Sequence, residues 1–146
     1  MERKDKIKKN NWIWMPHPGH LIVSDDCKFH LNTYVGKYIV STVGEYFPDR
    51  QVRKIHAEIY NPEWLKNNKD LKGDYFDSAY FKEFGFMRIG CGNDDIYETM
   101  IFKAVKSSDK CCPYHQTGSV LYCIKYKTSE EAFKGHLKLC NKWSKK

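Results

Sequence analysis

Long apolar runs, acids in the last third and complete catalytic spacings are all scarce in this 146-residue chain, and each scarcity removes a class of explanation. No apolar run approaches the roughly 18 residues needed to cross a bilayer, so no membrane span is expected. Met1 to Asn11 lacks the apolar core and small-residue cleavage site of an export signal, so a reducing compartment is the expectation, with thiols or metal ligation favoured over disulfides for the six cysteines. Ile101 to Lys146 carries only three acids against ten Lys or Arg, a balance of +7, whereas Met1 to Asn11 gives +3 and Trp12 to Met100 gives −3. Cys27, His30, His56 and Glu58 offer a nucleophile and bases by residue type, but none stands in a known catalytic spacing. Gly90-Cys-Gly-Asn-Asp-Asp95 lacks both the Gly-Lys-Ser/Thr ending of a phosphate loop and the alternating acids of a calcium loop, and reads as a turn. A non-enzymatic protein is therefore expected, with a small Cys/His-dependent enzyme as the alternative.

What is present suffices for one core: 41% of residues are hydrophobic and 15% aromatic. Residues 1–11 read as a flexible basic arm and 12–146 as a single α+β domain. Its expected architecture is an antiparallel sheet of about five or six strands, packed by a C-terminal helix and one or two short helices. The sharpest local signal is a hairpin, with Phe29 to Val35 and Tyr38 to Val43 separated by Gly36-Lys37; the turn predicts the pairs Thr33/Val40, Leu31/Thr42, Tyr34/Ile39, Asn32/Ser41 and His30/Val43. Leu21-Ile-Val23 predicts a strand, and Ile55-His-Ala-Glu-Ile-Tyr60 alternates as a half-buried strand does. Asn61-Pro62-Glu63 predicts a short helix, and Asp77 to Phe84 predicts another, closed by Gly85. Phe86 to Ile89 and Ile96 to Val105 predict a second hairpin. Ser119 to Lys127 predicts a strand, and Thr128-Ser-Glu-Glu131 is a capping box that opens a helix whose stripe is Ala132, Phe133, His136, Leu137, Cys140 and Trp143.

The stretch from Cys111 to Trp143 holds four of the six cysteines and two of the six histidines. His136 and Cys140 stand one helical turn apart, and Cys112-x-x-His115 offers a second pair from a turn about twenty residues earlier, so Cys112, His115, His136 and Cys140 can be assembled into a tetrahedral zinc site. The competing reading makes Cys140 a small core hydrophobe and His136 a buried imidazole bonded to backbone. His17 and His20, spaced by Pro18-Gly19, converge on one metal only if their loop folds back.

The same third interleaves Tyr114, Tyr122, Tyr126 and Trp143 with Lys125, Lys127, Lys138 and Lys142, a mixture suited to phosphate contact and base stacking. Nucleic acid is thus one expected partner, and a protein bound through exposed aromatics is the other.

Trp14-Met-Pro-His-x-Gly-His20, Cys27-Lys-Phe-His30-Leu, Glu98-Thr-Met-Ile-Phe102 and the closing Thr128-x-Glu-Glu-Ala-x-x-Gly-His136-x-x-x-Cys140-x-Lys-Trp143 resemble small uncharacterised proteins encoded by bacteriophages and prophages. The resemblance spans most of the chain. It implies a phage gene product that works in the bacterial cytoplasm or in a virion, and makes a host protein, such as a defence nuclease to be inhibited, an expected target.

Overall fold

The computed structural model describes residues 12–20, 24–89 and 95–146. The basic arm, the strand expected at Leu21 to Val23, and Cys91 with its turn lie outside the described residues. Five strands form one open antiparallel sheet in chain order: β1 (Ile13–Met15), β2 (Cys27–Tyr34), β3 (Tyr38–Tyr46), β4 (Tyr97–Lys106) and β5 (Tyr114–Tyr126). Among the described residues four α-helices accompany it: α1 (Arg50–Tyr60), α2 (Pro62–Asn67), α3 (Gly73–Phe84) and the C-terminal α4 (Ser129–Ser144). This is the expected α+β class. Among the described residues no helix is long and apolar enough to cross a membrane.

The β2–β3 hairpin has the register the sequence predicts, from His30 against Val43 to Tyr34 against Ile39. Gly36, at φ +96°, supplies the backbone that a two-residue turn demands, and Val35 N–H donates to the Tyr38 carbonyl at 2.9 Å. Phe86 to Ile89 does not make the second hairpin; among the described residues of that segment Met87 alone bridges, to Tyr46, and β4 pairs instead with β3 and β5.

The segment expected as a strand, Ile55 to Tyr60, is the second half of helix α1. Its start is fixed by Asp49, whose side chain accepts from the Val52 N–H at 3.1 Å. The face that α1 buries carries Arg53 and Ala57. Ala57 packs with Phe76 and Tyr80 of α3, flanked by Trp64 and Leu65, so the three helices form a small cluster of their own. Phe47 ties that cluster to the sheet, with the Arg53 guanidinium 4.1 Å above its ring and Phe81 edge-on at 5.3 Å.

Alternation along the strands sends Val40, Thr42, Thr99 and Ile101 to one face and Ile39, Ser41, Glu98 and Phe102 to the other. Helix α4 covers the first face. Thr128 caps it, accepting from the Glu131 N–H at 3.1 Å as the capping box predicts. Leu139 and Cys140 then pack on Val35, Val40 and Ile101. The predicted stripe needs one change, because Phe133 is exposed and Leu139 takes the buried place.

Candidate metal centre

His136 is wholly buried beneath α4, with Nε2 2.9 Å from the Thr33 hydroxyl and Nδ1 2.6 Å from that of Thr42. Thr42 continues to Thr99 at 2.6 Å, and Thr99 to the Tyr126 hydroxyl at 3.0 Å. Burial lowers His136 to about 4, so the ring is neutral near pH 7 and serves as one donor and one acceptor. Its partners are threonine hydroxyls rather than backbone. Burial likewise pushes the Cys140 thiol up to about 12.

Cys112 belongs to the opposite face of the sheet, packed with Met15 and Ile39. The quartet Cys112, His115, His136 and Cys140 is therefore split by the sheet and cannot share one ion. Helical spacing had placed His136 and Cys140 together correctly, but both ring nitrogens of His136 are already engaged.

A different group assembles on the Cys112 side. Asn32 Nδ2 donates to the His17 carbonyl at 2.8 Å and holds the Pro16-to-His20 loop against the sheet. Across from it, the β4–β5 connection is closed by the Ser107 N–H donating to the Pro113 carbonyl at 2.7 Å, which presents Cys111 and Cys112. The ligand atoms of His17, Cys111 and Cys112 lie within 4.8 Å of one another, with Cys112 Sγ 3.5 Å from His17 Nδ1. These three side chains could hold a metal ion. Burial is the main cause that raises the Cys112 thiol, with Cys111 adding to it, so a metal must displace a proton there. His115 borders the same cavity of about 450 Å3, but its Nε2 meets Asp109 Oδ2 at 2.9 Å.

His20 borders the same cavity, but its ring nitrogens are engaged on the sheet. Its Nδ1 is 2.7 Å from Ser41 Oγ and its Nε2 is 3.2 Å from Glu98 Oε2. Burial alone would raise Glu98, but His20 and the Cys123 thiol, whose Sγ is 3.5 Å from Oε1, hold the carboxyl below its usual range. The Ser–His–Glu row is a buried polar strut, because Ser41 has no solvent exposure through which to meet a substrate.

The remaining candidates separate. Burial, with help from Asp26 and Glu98, pushes Cys27 up to about 12, which removes the thiolate a nucleophile needs. His30 is exposed on β2; His56 stands 3.1 Å from the Tyr80 hydroxyl, and Glu58 is exposed on α1. Among the expected nucleic-acid residues, Tyr126 is buried and its hydroxyl is bonded, so it cannot stack on a base. Tyr114 is stacked on Tyr34 at 3.6 Å, and Trp143 packs edge-on against Tyr38. Tyr122 keeps 40% exposure. Lys125 pairs in register with Glu98 on the far face from α4, whereas Lys138 and Lys142 are exposed one turn apart on α4 and Lys127 precedes that helix. The four lysines therefore do not form one patch. Asn32 and Cys111 were not anticipated at the site; the adjacent Cys111-Cys112 pair and the His17-Pro-Gly-His20 loop were the signals that could have pointed there.

No protein-family model matches the chain, and neither a curated protein nor a solved structure matches it significantly.

Proposed function

We propose that the chain is a small phage-type, non-enzymatic binding protein that docks a host protein in the bacterial cytoplasm, a defence nuclease being one such target. The observation that carries this reading is the outer face of α1. Val52, Ile55 and Ile59 recur at helical spacing opposite the buried Arg53 and Ala57, and are 44%, 56% and 65% exposed; Tyr60 beside them is 69% exposed. An amphipathic helix normally turns such a stripe inward, and exposed apolar stripes on small proteins mark interaction sites. On β5, the last strand of the sheet, Val120, Leu121 and Ile124 are also exposed, spread over both faces.

Zinc is the ion this reading assigns to His17, Cys111 and Cys112, because thiolate and imidazole donors suit it and it needs no redox partner. Its part is to clamp the loop before β2 to the connection between β4 and β5. Protein purified without chelators should hold about one zinc per chain by native mass spectrometry, and Cys112→Ser should lose it.

Docking is tested by capturing partners on the immobilised chain, with and without nuclease. A protein that stays bound after nuclease, and is lost from an Ile55→Glu/Ile59→Glu variant with unchanged thermal melting, is the expected result. Release by nuclease, or retention by the double variant, overturns the α1 reading. Release would favour the nucleic-acid alternative, for which the exposed Lys138 and Lys142 pair on α4 is the supporting feature.

A further inference from the structure

We infer that the metal site keeps an open coordination position and binds a small Lewis base that also carries an N–H or O–H donor. The inference rests on the assignment of a metal to His17, Cys111 and Cys112. Three observations point to it. First, among the described residues three donor atoms cluster rather than four: the fourth candidate, His115, is turned to Asp109 at 2.9 Å. Three protein ligands and a vacancy are the pattern of sites that accept an exogenous ligand, while closed structural zinc sites have four. Second, the donors border a cavity of about 450 Å3, within the range of small-molecule sites.

The third observation defines the ligand. Asn32 lines the same cavity and is 5% exposed, and its Oδ1 has no hydrogen-bond partner among the described residues. The amide cannot turn over to relieve this, because its Nδ2 donates to the His17 carbonyl at 2.8 Å and a flip would set two oxygens against each other. A buried acceptor without a partner is costly, and a donor brought by a ligand removes that cost. Gly19 packs closely on this amide: a β-carbon there would stand 2.5 Å from Asn32 Oδ1 and 3.0 Å from Ser41 Cβ. The site therefore recognises a molecule with two neighbouring functions, a lone pair for the metal and a proton for Asn32, as found in imidazoles and hydroxamic acids.

Cobalt(II) tests both layers, since it reports thiolate ligation and coordination number in one spectrum. The reduced chain titrated with cobalt should develop a thiolate-to-cobalt absorption at about one equivalent, absent from Cys111→Ser and Cys112→Ser. If none develops, the metal assignment fails and this inference with it. Imidazole added to the cobalt protein should then shift the visible bands saturably, and N-methylimidazole, which lacks the N–H, should bind about tenfold more weakly, the worth of one hydrogen bond. A cobalt spectrum indifferent to imidazole, or one altered by His115→Ala before any ligand is added, shows a closed four-ligand site and overturns the inference. Equal affinity for the two imidazoles overturns the role of Asn32.

Discussion

Under α4, His136 spends both ring nitrogens on threonine hydroxyls and Cys140 lies wholly buried among aliphatic side chains and Thr33; across the sheet, His17 and Cys111 are exposed and, of the three, Cys112 is buried. The two faces thus hold the same pair of residue types in opposite states. The covered face joins its histidine into a chain from Thr33 through His136, Thr42 and Thr99 to Tyr126, and only the Trp12 indole at the margin of the apolar cluster has no partner among the described residues there. The open face leaves Asn32 Oδ1 without a partner among the described residues. Satisfied, buried polar networks rigidify a core, whereas donors gathered beside a cavity remain available to an external group. The difference separates residues that build the fold from residues that can bind something.

The strongest way to break the comparison is to remove the hub of the closed face. His136→Ala should cost about 4 kcal/mol in urea unfolding, because it leaves a cavity and deprives Thr33 and Thr42 of a partner. A loss below about 1 kcal/mol would show that the network is incidental to stability.

Proton uptake gives a smaller effect through the same ring. Burial lowers His136 from 6.5 to about 4 in the folded chain, so on acidification the unfolded chain takes up the proton first. Its contribution is complete above about pH 6.5 and is lost as pH falls towards 4. Between pH 7.5 and 5 the loss amounts to about 2 kcal/mol. His136→Gln has no such titration, so its unfolding free energy should change less than that of the native chain by this amount; parallel pH profiles would show that His136 is not the responsible group.

The hairpin and α4 were legible in the sequence because short-range chemistry specifies them: a two-residue turn sets the β2–β3 register, and Thr128 with Glu131 marks a helix start. Helix α1 was misread because Ile55, Ala57 and Ile59 alternate as a strand would, and its helical stripe points away from the body that buries Arg53. Asp49 as N-cap was the overlooked cue. The metal quartet failed for a different reason. Spacing tells which helical turn a side chain shares but not which face of the sheet that helix covers, and the His17 partner of Cys112 is 95 residues away in the chain.

The smallest effect sharpens the comparison between the faces most directly. Cys112 and Cys140 are both buried thiols, at 5% and 0% exposure. Cys140 is packed by Val35, Val40, Ile101 and Leu139 and meets a polar group in Thr33, whose hydroxyl already serves His136, so Cys140→Ser desolvates a hydroxyl in a mostly apolar cluster and should cost about 2 kcal/mol. Cys112→Ser sits beside His17 Nδ1, which can accept the new hydroxyl, and should cost less than about 1 kcal/mol in metal-free protein. Zinc reverses the ranking. A ligand that binds only the folded state stabilises it by an amount set by its excess over Kd, so zinc should raise the melting temperature of the native chain and of Cys140→Ser while leaving Cys112→Ser unmoved. Equal costs without metal would mean that the open face is packed as tightly as the covered one, and an equal zinc response in both variants would place the metal ligands elsewhere.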